Sequence, residues 1–425
     1  MAAVKRLNRY DRYGGWRGLK GSETGFFHVE EMDGVWWLVD PDGYVFISKG
    51  VNHVDRRGDF CPALGYSPYE RNVTAKYGDV EVWVEVTVKR LKDWGFNTVG
   101  SWSSPELFGR MPYTLILDIL ASFGFSWLTG RVPDIFSEEF ERHARKRAVE
   151  FCSQRKKDPY LIGYFTDNEL RWGPDWRSPN HLLDDFMKLP AGSPGKRVAV
   201  DTVREVFADD VALLDEVLGT GFDSFDRLLD YTGKLPDHPL VAEARSRFLR
   251  KYAERYFSVC HDAVKRADPN HMILGCRFAV APPREVLEAV KDYVDVVSIN
   301  NYSLTAPTGM LRHVYEVTGK PMIVTEFSFK AMDSGLPNTK GAGIPLKTQR
   351  ERAEHCKRYV DTLLTLPFIL GYHWFQYMDQ PKEGRFDGEN SNFGLVKIDD
   401  EPYHLLVETF KQINFNAEKT HLSKA

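Results

Sequence analysis

Cysteine is scarce in this chain and shows no pairing pattern. Five occur, at positions 61, 152, 260, 276 and 356, an odd number with no Cys-x-x-Cys spacing. That excludes a small disulfide-stapled fold and a cysteine-based zinc site, and reads as free buried thiols. Long hydrophobic runs are missing too. No stretch approaches the ~18 apolar residues that a membrane-spanning helix needs. The first nine residues are polar and carry no apolar core of the signal-peptide kind. The expectation is a soluble protein, cytoplasmic, or secreted if a leader has been removed. An excess of one charge is also lacking. A net charge of −4 over 425 residues gives no reason to expect nucleic acid or an anionic membrane surface as partner.

The motif inventory is equally bare. Neither G-x-G-x-x-G nor G-x-x-x-x-G-K-S/T occurs, so a phosphate-cradling loop is excluded. H-x-H, H-E-x-x-H and Cys/His clusters are absent, and no metal is expected. G-x-S-x-G is absent, which removes the usual elbow of a serine hydrolase. No organic cofactor is expected.

What is present is an alternation of strand and helix signals. Near the N-terminus, residues 1–23 read as an irregular polar arm. Two short strands then meet at Asp33-Gly34, a hairpin signal, and Asp42-Gly43 makes a second turn. From residue 44 onward the candidate strands are 45–49, 97–100, 114–119, 161–167, 272–276, 294–299, 322–325 and 369–372. They are short, apolar and often β-branched, as buried parallel strands are. Helices fit between them. One runs from Val80 to Trp94; another is capped by Ser137; Pro282-Pro283 opens a third. A fourth is closed by Gly319, and a fifth begins with Thr348 and Glu351 as a capping box and reaches Leu366. Eight such units predict a (β/α)8 barrel, with a doubly wound open sheet as the alternative. The gap between the fourth and fifth strands is too long for one crossover. It ends in a long helix over 239–268, and residues 170–237 read as a helical insertion that includes a helical piece over 198–218. The expected organisation is an arm and β-ribbon over 1–43 packing on a barrel over 44–425.

A barrel of this kind carries its chemistry at the carboxyl ends of its strands. Those positions are Asn52 and His53 after the first strand, Trp102 after the second, Asn168 and Glu169 after the fourth, and Arg277 after the fifth. Asn300, Asn301 and Tyr302 follow the sixth, Glu326 ends the seventh, and His373, Trp374 and Gln376 follow the eighth. Two glutamates stand out, Glu169 in Gly163-Tyr164-Phe165-Thr166-Asp167-Asn168-Glu169 and Glu326 in Met322-Ile323-Val324-Thr325-Glu326. Strands four and seven lie across the barrel from each other, so their end residues can face one another. Cleavage of a glycoside needs two such carboxyls, one to protonate the leaving oxygen and one to attack the anomeric carbon. Tyr302 is placed to donate a hydrogen bond to Glu326, and Asn168 to touch a sugar 2-hydroxyl.

These residues carry a resemblance. Asn168-Glu169, Tyr302, Glu326 and Trp374 at their strand ends resemble the pattern of the clan A (β/α)8 retaining glycoside hydrolases. More narrowly, five stretches are similar to agarases of glycoside hydrolase family 50. They are Trp36-Trp37-Leu38-Val39-Asp40-Pro41-Asp42-Gly43, Gly50-Val51-Asn52-His53-Val54, Gly95-Phe96-Asn97-Thr98-Val99-Gly100, Thr166-Asp167-Asn168-Glu169-Leu170 and Gly371-Tyr372-His373-Trp374-Phe375. The similarity runs over residues 24–414. It implies hydrolysis of β-linked galactosides such as agarose or its oligosaccharides, with Glu169 as acid/base, Glu326 as nucleophile and an oligosaccharide or polysaccharide as partner. The insertion and the loop 376–392 suggest exo action.

Plainer readings stand beside these. A related barrel acting on β-glucan or β-mannan, or an inactive carbohydrate-binding barrel, would share most of the pattern. His53 and His373 also fit satisfied core histidines, and Arg277 a structural ion pair. Trp374 reads as a sugar platform before a core residue. Asp387 and Glu389 are the rival carboxylates to Glu326, and Asp118 reads as structural.

Overall fold

A computed structural model describes residues 9–424; the rest of the polar N-terminal stretch and Ala425 lie outside the described residues. The chain begins with a four-stranded antiparallel sheet. Its strands are β1 (Trp16–Lys20), β2 (His28–Met32), β3 (Val35–Val39) and β4 (Tyr44–Phe46), in the order β1-β4-β3-β2. The β2–β3 hairpin turns at Asp33 and Gly34, with φ of 51° and 83°. Two positive φ angles make the tight turn that suits twisted strands, and Asp-Gly supplies them at little cost.

Eight parallel strands follow: β5 (Ser48–Val51), β6 (Thr98–Val99), β7 (Tyr113–Ile116), β8 (Leu161–Phe165), β9 (Met272–Ile273), β10 (Val297–Asn300), β11 (Met322–Phe327) and β12 (Ile369–Trp374). They run in the order β10-β11-β12-β5-β6-β7-β8-β9. The two ends of that series meet just past β9. Phe278 N–H donates to Ser298 O at 2.9 Å and Asn300 N–H donates to Phe278 O at 2.7 Å. With helices between the strands, this is the (β/α)8 barrel.

The small sheet seals the amino end of the barrel. Leu38, Phe46 and Phe27 from the ribbon join Ile116, Ile162, Ile323 and Leu370 from the barrel strands in one buried cluster. Trp36 anchors the ribbon outside, its backbone N–H on Pro367 O at 2.7 Å and its indole N–H on the Tyr315 hydroxyl at 3.0 Å. The carboxyl end stays open.

Three expectations shift. Residues 16–20 of the supposed arm form an edge strand on β4, because an edge strand needs only one partner and tolerates a polar sequence. The run 44–51 is shared between two sheets, so the first barrel strand starts at Ser48 and not at residue 45. Its polar residues are buried with partners: Lys49 Nζ lies 2.5 Å from Glu418, and Ser48 Oγ lies 2.8 Å from His373 Nε2. In the insertion, the piece over 198–218 is two helices, Pro194–Val206 and Val211–Leu218, broken where Ala208 and Asp209 take positive φ. The long helix Pro239–Ala267 then returns the chain to β9. The caps at Ser137 and Thr348 form, each hydroxyl accepting from a backbone N–H three residues on, while Glu351 accepts from Lys347 N–H, one residue before the cap, in place of closing a capping box on Thr348. Among the described residues no helix is long and apolar enough to cross a membrane.

Candidate active site

The strand ends leave the β conformation abruptly. His53, Trp102, Asp118, Glu169 and Arg277, which follow β5, β6, β7, β8 and β9, all have φ between 48° and 59°. A non-glycine residue in the left-handed region costs about 1–3 kcal/mol and persists where its surroundings impose it. Here the turn swings each side chain toward the barrel mouth. Four of the five line one cavity of about 1090 Å³ there, and Arg277 lies beneath it.

Glu169 and Glu326 both line this cavity. Glu326, on β11, is 4% exposed. Its Oε2 accepts from the Tyr302 hydroxyl at 2.5 Å, and its Oε1 lies 2.9 Å from Arg277 Nη2. Burial pushes the Glu326 carboxyl up to about 7, while Arg277 and Tyr302 pull the other way by favouring the carboxylate. The carboxyl therefore titrates near neutral pH and is poorly solvated. Glu169 is held differently. Asn300 Nδ2 donates to its Oε1 at 3.0 Å and Trp127 Nε1 to its Oε2 at 2.9 Å, and it is more open to the cavity.

Arg277 ties the two sides together. It donates to Asn168 Oδ1 at 3.0 Å and to Thr325 O at 3.1 Å, besides pairing with Glu326. Its guanidinium lies 4.3 Å from the centre of the Trp102 ring. Asn168 Oδ1 also accepts from Asn300 at 3.1 Å. With its oxygen so occupied, Asn168 presents its amide N–H groups to the cavity.

The other residues singled out in the sequence divide. His53, Trp102, Asn168, Asn301 and Tyr302 line the cavity. Asn301 does so with its oxygen already engaged by Ser303 and Tyr359. Asn52, Arg277, His373, Trp374 and Gln376 are each 0% exposed and do not line it. Asn52 locks strand ends, donating to Thr325 O at 2.8 Å and accepting from Ser101 N–H at 3.0 Å. Gln376 donates to Asp59 at 2.7 Å. Along β12 successive side chains alternate faces. His373 points into the barrel onto Ser48, and Trp374 points out among Phe327 and Phe410 with its indole N–H on Phe393 O. The platform reading of Trp374 is thus corrected; Phe375, one residue on, is the aromatic that reaches the cavity. His373 is a core histidine whose ring burial depresses to about 3, keeping it neutral.

Sequence reading passed over Trp127 and underused Asn300, although both hold Glu169. Trp127 lies on a loop whose only signal was its aromatic density, Phe123, Phe125 and Trp127. Trp176 from the insertion, Phe386 from the loop after β12 and Phe60 also line the cavity, each more than half exposed. The cavity wall is acidic. Asp59, Asp118, Asp387 and Glu389 accompany the two glutamates, and Arg385 pairs with Asp387 and Glu389 at 2.8 Å each.

Fold and site together define a (β/α)8 barrel with a carboxylate pair in an aromatic-rimmed mouth. No protein-family model matches the chain. It is 29% identical to beta-agarase B of Vibrio sp. (strain JT0107), over 95% of this chain and 49% of that protein. The chain spans about half the length of the curated relatives it matches. It superposes on a solved exo-beta-agarase with TM-score 0.86 and 26% identity, covering 98% of this chain and 68% of that one. On PfGH50B the TM-score is 0.86 and the identity 28%, with 97% and 69% covered. Along nearly its whole length the chain is thus similar to proteins named as agarases and to PfGH50B.

Proposed function

We propose that this chain is a retaining glycoside hydrolase acting on β-linked galactosides of the agarose type. Glu326 is the nucleophile and Glu169 the general acid/base. The observation that carries this reading is the contrast between the two carboxyls. Glu326 is buried and clasped by Arg277 and Tyr302, so it is fixed, and both partners favour its carboxylate. Glu169 is more exposed and held by two neutral donors, which suits a group that must give and take a proton.

In the first step a Glu326 oxygen bonds to the anomeric carbon as the bond to the leaving oxygen breaks, and Glu169 delivers its proton to that oxygen. In the second, water attacks the glycosyl ester while Glu169 removes a proton, which frees Glu326 and releases the β-anomer. Asn168 offers its amide to the 2-hydroxyl, where hydrogen bonds strengthen in the transition state. Trp176 and Phe386, from the insertion and the loop after β12, reach the same cavity, and both segments bear on the exo mode of attack. Tyr302, His53 and Trp102 supply polar and aromatic contact to a neutral polyhydroxyl chain.

Hydrolysis of agarose-derived oligosaccharides by wild type and Glu326→Gln, with the product anomer followed by NMR, tests this. Initial release of the β-anomer by wild type alone is expected, with short products of uniform length from polymer. Initial α-anomer would remove retention, and a random ladder would remove exo action. Turnover confined to glucan or mannan oligomers would remove the galactoside assignment.

A further inference from the structure

Asp118, one of the five left-handed strand-end residues, is half-buried and has a side chain with no hydrogen-bond or ion-pair partner among the described residues. Everything around it is fixed. Leu117 N–H donates to Phe165 O at 2.9 Å and Ile119 N–H to Thr166 O at 3.0 Å. The N–H groups of Leu120 and Ala121 both end on Asp167 at 2.9 Å. Ser122 closes on Asp118 O through its own N–H at 2.9 Å and its hydroxyl at 2.6 Å. The turn is pinned on both sides, and the one group left over is a carboxylate facing the cavity that holds Glu169 and Glu326. Burial raises this carboxyl, and the Arg147 and Arg277 charges counter that without touching it. A half-buried carboxylate with no protein partner, presented by a left-handed backbone, keeps its acceptor positions free for donors from a ligand. Such an arrangement survives where a ligand completes it.

We propose that Asp118 is a substrate-contacting residue: its carboxylate accepts hydroxyl hydrogens from the sugar ring held beside Glu169 and selects a galactosyl ring over a 3,6-anhydro ring at that position. The inference rests on the galactoside hydrolase reading above. An ionised carboxylate only accepts hydrogen bonds, so it demands donors. A galactosyl unit within an agarose chain keeps free hydroxyls to donate. In the anhydro unit positions 3 and 6 share a single ether oxygen, so neither carries a hydroxyl to donate. A site built around a hydrogen bond rejects an analogue that lacks the donor far more strongly than an apolar pocket rejects a change of size.

The test is Asp118→Asn, because asparagine has the same shape and accepts the left-handed conformation better than most residues. On an agarose-derived tetrasaccharide, kcat/KM is expected to fall about 10- to 100-fold, the range of a lost charge-assisted hydrogen bond. Tm is expected to hold, since the side chain has no protein partner to lose. With the 2-, 4- and 6-deoxygalactosyl analogues, the gap between wild type and variant is expected to close for at least one. The same substitution in a Glu326→Gln background, with binding of the tetrasaccharide followed by calorimetry, reports on Asp118 without turnover. Unchanged kcat/KM, or a fall in Tm that accounts for the lost activity, would overturn the proposal while leaving the hydrolase reading intact. A wild type silent on every galactoside would end the hydrolase reading. In that case equal binding by Glu326→Gln with and without Asp118→Asn, or binding by neither, would end this proposal too.

Discussion

Asn300 donates one side-chain amide to both Glu169 Oε1 and Asn168 Oδ1, at 3.0 and 3.1 Å. It thereby fixes Glu169 relative to the residue before it, and through Asn168 and Arg277 to Glu326 across the barrel. Five side chains from four strand ends form one connected network. The reading of the site depends on that connectedness more than on any single residue.

Asn300→Ala should therefore act on the chemical step. The expected result is a kcat lower by about 10- to 100-fold with KM changed little, as for a lost transition-state contact. Trp127→Phe, which keeps the ring and removes the N–H donor to Glu169, should give a smaller loss of the same kind. Steady-state kinetics on an agarose oligomer checks both, and a rise in KM alone would point to substrate binding instead.

Glu326 gives a pH dependence with a definite sign. Burial pushes its carboxyl up to about 7, and only the carboxylate can attack. Activity should rise as pH increases through about 7 and be lost as pH falls below it. Tyr302→Phe removes a hydrogen bond that favours the charged form. The acid limb of kcat/KM should move to higher pH in that variant. A limb that stayed in place would show that Glu326 is not the group titrating.

Arg277 is fully buried and Glu326 nearly so, 2.9 Å apart. Removing one partner of such a pair leaves an uncompensated buried charge, typically destabilising by about 3–5 kcal/mol. Arg277→Met should lower Tm clearly and abolish activity at pH 7, because the remaining carboxyl takes up a proton. Denaturation followed by circular dichroism, alongside assay well below Tm, separates the two effects.

Gly50 shows how the barrel interior is packed. A Cβ there would sit 2.3 Å from the His373 ring, which has no free direction in which to move. Gly50→Ala should destabilise by about 1–3 kcal/mol, the usual cost of overpacking. Residual activity per folded molecule should be near wild type, since neither residue touches the cavity. A large loss of kcat with Tm unchanged would contradict the placement of His373.

Much of the barrel was legible because its strands are apolar, short and bounded by turn residues, with caps such as Ser137 and Thr348 marking the helices. The two glutamates were legible because each directly follows such a strand. Three things were not. Register along β12 decides whether Trp374 or Phe375 meets the cavity, and an aromatic run gives no period from which to read it. Trp127 reaches Glu169 from a loop 42 residues earlier, a distance that only the closed fold makes short. The run 45–49 reads as one strand, and its division between the small sheet and the barrel at Ser48 appears only when both sheets are assembled around it.

The central claim is that Glu326 becomes covalently bonded to sugar. The most direct measurement is to trap that ester with a 2-deoxy-2-fluoro-β-galactoside bearing an activated leaving group, then digest the protein and map the mass gain. The account predicts one fluorogalactosyl group per chain, on the peptide that carries Glu326, and none on Glu326→Gln. A label on Asp387, Glu389 or Glu169, or time-dependent inactivation of Glu326→Gln at the wild-type rate, would contradict it.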